Sequence, residues 1–135
     1  MHLKATLIVD DVRFETRGTT TFVGVHGERV RGIGINETIA FPTLSFVTIV
    51  TGLMGIDTLH YRHRLRSLDN AAMETGREVM QEQSRDATYD EHMLLFGNSP
   101  MRFPAAGRYE LEVEVIAKGQ REVFTYPFSV ELAAL

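Results

Sequence analysis

Apolar and polar residues alternate most regularly between Gly107 and Val130. Tyr109, Leu111 and Val113 alternate with Glu110, Glu112 and Glu114, and the alternation resumes after Lys118-Gly119 in Phe124, Tyr126 and Phe128. A period of two marks a half-buried strand. The two stretches predict a β-hairpin that turns at Lys118-Gly119, where glycine supplies the positive φ of a tight turn. That turn sets Val113 against Phe124, Leu111 against Tyr126 and Tyr109 against Phe128, all on one face. The other face sets Glu112 against Thr125 and Glu114 against Val123. A slip of one residue sends glutamates into the core, so the register is strongly specified. Tyr109, Leu111, Val113, Phe124, Tyr126 and Phe128 are the expected core of the hairpin.

Weaker versions of the same pattern run through the rest of the chain. Residues 2 to 9 alternate and predict a first strand, ended by Asp10-Asp11. Arg17-Gly18 marks a turn before a second strand, Thr20 to His26, which Gly27 breaks. Gly32, Gly34 and Pro42 make residues 28 to 43 read as irregular backbone with a short edge strand at Val30 to Ile35. Leu44 to Val50 is β-branched and apolar on both phases, the pattern of a central strand covered on both sides. Thr58 to Arg66 alternates cleanly, with Leu59, Tyr61, His63 and Leu65 on one face. From Asn70 to His92 the signal is poor. A strand at about 77 to 82 followed by a polar loop competes there with a short helix over 71 to 82, in which Glu74, Glu78 and Glu82 fall four apart. Met93 to Phe96 reads as a short buried strand. About eight short strands with at most one short helix predict an all-β fold, an antiparallel β-sandwich. Residues 1 to 135 read as a single domain.

Two resemblances sharpen that class. Gly107-x-Tyr109-x-Leu111 resembles the tyrosine corner of immunoglobulin-like domains, in which a tyrosine near a strand start bonds back to the backbone two residues before an inward position. Leu111 stands where antibody domains carry cysteine, so the likeness is to a relative without that disulfide. Over nearly the whole chain, a series of motifs is similar to a family of small bacterial proteins catalogued as a domain of unknown function. The motifs are Val9-Asp10, Gly18 leading to Phe22-Val23-Gly24-Val25, Phe41-Pro42, Phe46-Val47-Thr48-Ile49, and Phe103-Pro104-x-x-Gly107-x-Tyr109. The resemblance implies an immunoglobulin-like sandwich and carries no catalytic residues with it. It departs over residues 70 to 92.

Composition removes several functions. A formal net charge of −4 argues against binding nucleic acid through a basic surface. With no cysteine, disulfides and cysteine-ligated zinc are impossible. No apolar run approaches the roughly 18 residues of a membrane span, and Leu3 to Val9 holds Lys4 and runs into two aspartates instead of a signal-peptide cleavage site. The expectation is a cytoplasmic, soluble protein without cofactor or metal. His60 and His63 fall on opposite faces of their strand, so they form no metal pair. His2, His26 and His92 lack ligand spacing, and Asp10-Asp11 reads as a turn. No nucleophile elbow is present, and Gly27-x-x-x-x-Gly32 lacks the Lys-Ser/Thr of a phosphate loop.

One surface pattern remains. His60, Arg62, Arg64 and Arg66 form a basic stripe, and Glu110, Glu112 and Glu114 form an acidic one. Either both stripes are solvated outer faces that pair with each other across a sheet, or one of them meets a charged partner or a second copy. The leading expectation is a non-catalytic interaction or accessory module that binds a protein partner or itself as a homo-oligomer through an edge strand or sheet face. The alternative is a small-molecule-binding or regulatory sandwich with a site in the loops 27–43 and 70–92. An enzyme ranks last.

Overall fold

Alternating apolar residues become strands throughout the computed structural model, which describes residues 1–70, 74–77 (backbone alone) and 79–133. The strands are β1 (His2–Phe14), β2 (Thr20–His26), β3 (Arg29–Ile35), β4 (Thr38–Phe41), β5 (Leu44–Thr51) and β6 (Thr58–Ser67). They continue with β7 (Glu74–Arg77), β8 (Gln81–Ser84), β9 (His92–Asn98), β10 (Met101–Phe103), β11 (Gly107–Ala117) and β12 (Gln120–Leu132). No helix occurs among the described residues, and none there is long and apolar enough to cross a membrane. The fold is all-β, with more strands than the eight expected.

Two sheets enclose the main core. The smaller has the order β2-β1-β5-β9, and the larger the order β10-β4-β3-β12-β11-β6-β7, with β8 also pairing β6. Inward-facing residues of both sheets fill the space between them. Ile8, Leu44, Phe46, Val50 and Leu94 come from the smaller sheet; Leu59, Leu65, Tyr109, Leu111, Val115 and Val130 come from the larger. The last hairpin has the expected register from Ala117↔Gln120 back to Gly107↔Val130. Lys118 and Gly119 both have positive φ, the conformation of the two-residue hairpin turn. The Tyr109 hydroxyl donates to the Ala105 carbonyl at 2.6 Å, the back-bond expected of that tyrosine.

Several expectations are corrected. Asp10-Asp11 does not end the first strand, because β1 runs on to Phe14 with β2 as its partner (Asp11↔Val23, Phe14↔Thr20). Within 27–43 the short strand expected at Val30 to Ile35 is present as β3, but it lies between β4 and β12 instead of at an edge, and β4 stands where irregular backbone was expected; the two join at Asn36-Glu37, where both residues take positive φ. The sandwich is not wholly antiparallel, since β12 runs parallel to β3 (Val130↔Val30). The strand expected at 77 to 82 resolves into the ends of two strands, β7 and β8, which flank residues 79 and 80; residue 78 lies outside the described residues. Of the competing helix over 71 to 82, residues 71–73 and 78 lie outside them too, while 74–77, 81 and 82 are strand. Phe124 and Tyr126 pack against the core only half-buried. On β5, Ser45 and Ile49 are half-buried where full cover was expected. Val9 and Val47 are fully buried yet stand outside the main core, on the other face of the smaller sheet.

One corner joins the layers. β4 becomes β5 across Pro42-Thr43, and β9 becomes β10 across Ser99-Pro100, a cis peptide. These two chain segments stay paired on both sides of the bend, Leu44 with Asn98 in the smaller sheet and Phe41 with Met101 in the larger. The Ser99 hydroxyl donates to the Pro42 carbonyl at 2.9 Å across the corner. Proline suits both crossings because it has no N–H to leave unpaired where a ladder stops.

Candidate interaction surface

The charged stripes lie on neighbouring strands. β6 pairs β11 so that Arg62 faces Glu114, Arg64 faces Glu112 and Arg66 faces Glu110, on the outer face of the larger sheet. Arg66 donates to Glu110 at 2.8 Å and Arg62 to Glu114 at 3.2 Å. Arg121, on the far side of β11, donates to the second oxygen of Glu114 at 2.6 Å. Glu114 is thereby only 5% exposed, a carboxylate held between two guanidinium groups. His60 lies within 3.8 Å of Glu82 on β8. The structure thus brings all seven stripe residues onto one face and directs the two stripes largely toward each other. Exposed pairs of this kind add well under ~1 kcal/mol each; the more enclosed Glu114 holds its two arginines in place.

His2 is exposed at the start of β1, and the other four histidines go to four different environments. His63 points into the core, stacked on Phe96 with ring centroids 5.1 Å apart and edge-on to Tyr61 at 5.7 Å. Burial lowers its pKa to about 4, so it is neutral at pH 7. His60 is on the opposite face, as its strand phase requires. His26 Nε2 is 2.6 Å from Asp10 Oδ1, and the Asp10 carboxylate lies over Gly24. His92 is half-buried; burial and then the charge of Arg85 lower its pKa. Asp11 accepts from Arg13 and from the Val12 amide, so both aspartates of the pair are engaged locally. Among the described residues no three His, Asp or Glu side chains converge to hold a metal ion.

Among the described residues, open clefts mark the surface, these three among them. The first, about 300 Å³, is lined by Glu28, Arg29, Leu68, Arg108, Pro127 and Ser129. The second, about 110 Å³, is apolar, formed by Ile33, Ile35, Ala40, Pro42 and Pro100 with Arg102 at its side. The third, about 460 Å³, separates the β1–β2 turn (Gly18, Thr20) from Ile49, Glu91, His92 and Met93. Of the two regions expected to hold a ligand site, 27–43 contributes to the first two clefts, and among the described residues of 70–92 Glu91 and His92 contribute to the third.

The sheet edges differ more than the clefts do. In the larger sheet, β10 is three residues between Pro100 and Pro104 and contains Arg102; β7 and β8 are four residues each, with Glu74, Arg77 and Glu82 in their sequences. Short, charged or proline-flanked strands are how sheets blunt their edges. In the smaller sheet, β2 (Thr20–His26) and β9 (His92–Asn98) are seven residues each, with no Asp, Glu, Lys, Arg or Pro. Among the described residues each pairs on one side only. The sequence reading missed these edges because Met93 to Phe96 is as apolar as a central strand, and only the sheet order shows its outer side open. The absence of any charge or proline over residues 92 to 98 was the available signal. Compared with known proteins, the chain matches no family model and no curated protein.

Proposed function

We propose that this chain is a non-catalytic, immunoglobulin-like interaction module of the cytoplasm that associates with itself by adding strands to its smaller sheet. The contrast between edges carries the reading. An unprotected strand edge presents a row of free N–H and C=O groups that another strand can satisfy; β9 is a long edge of this kind, and β2 is as long but interrupted at Gly24, which has positive φ. The paired charges of the larger sheet's outer face favour a solvated wall over a docking site. His63, whose pKa burial lowers to about 4, lies sealed among aromatic rings where no substrate reaches it. Light scattering over a range of protein concentrations tests the proposal. A mass above that of one chain, falling on dilution, is expected; the mass of a single chain at the highest concentration overturns it.

A second reading rests on the apolar cleft beside Arg102, which suits a small apolar carboxylate. At about 110 Å³ it is well below the roughly 300–1,000 Å³ of ordinary ligand pockets, so this reading ranks second.

A further inference from the structure

Resting on the strand-addition reading, we infer that the partner strand is β9 of a second copy, run antiparallel about a two-fold axis at Leu95, so that two smaller sheets become one continuous sheet. β2 is the poorer edge. Gly24, in its middle, has φ +66°, and a Cβ there would meet Asp10 Oδ2 at 2.0 Å. A left-handed residue breaks the row of outward amides and carbonyls, the way a bulge protects an edge. β9 has no such break. It pairs with β5 residue for residue from Leu44↔Asn98 to Val50↔His92 without a shift, so its free side is a regular ladder. The chain's own β1–β2 hairpin comes near β9 only at its start, where Gly18 and Thr20 share a cleft of about 460 Å³ with Glu91, His92 and Met93.

The sequence of β9 complements itself in this register. On the outer phase Leu95 meets Leu95, and Met93 meets Gly97, which has no side chain to crowd it. On the core phase Leu94 meets Phe96, and His92 meets Asn98. The first charged residue outside the strand, Glu91, meets Ser99, so no like charges are opposed. Shifting one copy by a single residue would set the core phase of one against the outer phase of the other. An isologous contact of this kind closes at two copies, whereas β9 on β2 would propagate into an open chain of molecules.

The chain has no cysteine, so Leu95→Cys introduces a single thiol at the axis. Directly opposed residues of an antiparallel pair lie within disulfide reach. Mild oxidation of Leu95→Cys is expected to give a covalent dimer, while Val25→Cys, on the exposed side of β2, does not. Leu95→Lys and Leu95→Glu each oppose like charges at the axis and are expected to weaken association at least about tenfold; mixing the two restores it. Circular dichroism checks that each variant keeps its strands. If the wild-type chain associates but Leu95→Cys does not cross-link, or Leu95→Lys associates as tightly as the wild type, β9 pairing is overturned and self-association stands. If the wild-type chain stays single at every concentration, both fall.

Discussion

His63 ties the core to pH. Unfolded, it takes a proton near pH 6.5; folded, burial among Phe96 and Tyr61 holds that event down to about pH 4. Between those values the unfolded chain carries a proton that the folded one refuses, so stability is full above about pH 6.5 and falls as pH drops, by about 3 kcal/mol once below about pH 4. His92, displaced in the same direction, adds to the loss. Urea midpoints should therefore drop between about pH 7 and about pH 4.5, and His63→Phe should remove most of that slope. Thr48 offers a converse test. Its hydroxyl is fully buried and has no hydrogen-bond partner among the described residues. Thr48→Val removes a desolvated polar group at nearly constant shape and should raise stability by about 1 kcal/mol in chemical denaturation.

At the scale of elements, what was legible depended on how far its cause lay along the chain. The final hairpin was readable because turn, alternation and partner strand sit within about two dozen residues, and a one-residue slip is heavily penalised. The charged stripes were readable on each strand singly; that β6 lies beside β11 depends on the path of the whole chain. β4 and β10 escaped because three or four residues next to Pro42 or Pro100 show no period, and each exists only by pairing with the other and, for β4, with β3. β1 outran its expected end for a similar reason: Asp10 is tolerated inside a strand because Gly24 opposite leaves room for its carboxylate and His26 pairs with it. Gly24→Ala should accordingly destabilise the protein by about 1–3 kcal/mol, combining a left-handed alanine with a clash against Asp10, as thermal or urea unfolding would show.

For the whole molecule, the all-β class and the two-layer arrangement followed from strand phases, whereas the edge proposed for association did not, because an edge is defined by what is missing next to it. The two candidate surfaces respond oppositely to salt. Association through β9 places no Asp, Glu, Lys or Arg at the interface and should be nearly unchanged between about 0.05 and 0.5 M salt. Association through the His60–Arg66 and Glu110–Glu114 face should weaken over the same range, since exposed ion pairs are screened. Sedimentation at the two salt concentrations separates these cases.

The corner at Pro42 and Ser99-Pro100 gives the molecule a mechanical character that neither sheet has alone. Two neighbouring strands cross it together, and the Ser99 hydroxyl ties one crossing to the other. The layers therefore cannot slide past one another at that end without breaking two ladders at once. A pull on β9 is carried through two residues of covalent chain to β10 and the far edge of the opposite sheet, so the two layers take up load as one body.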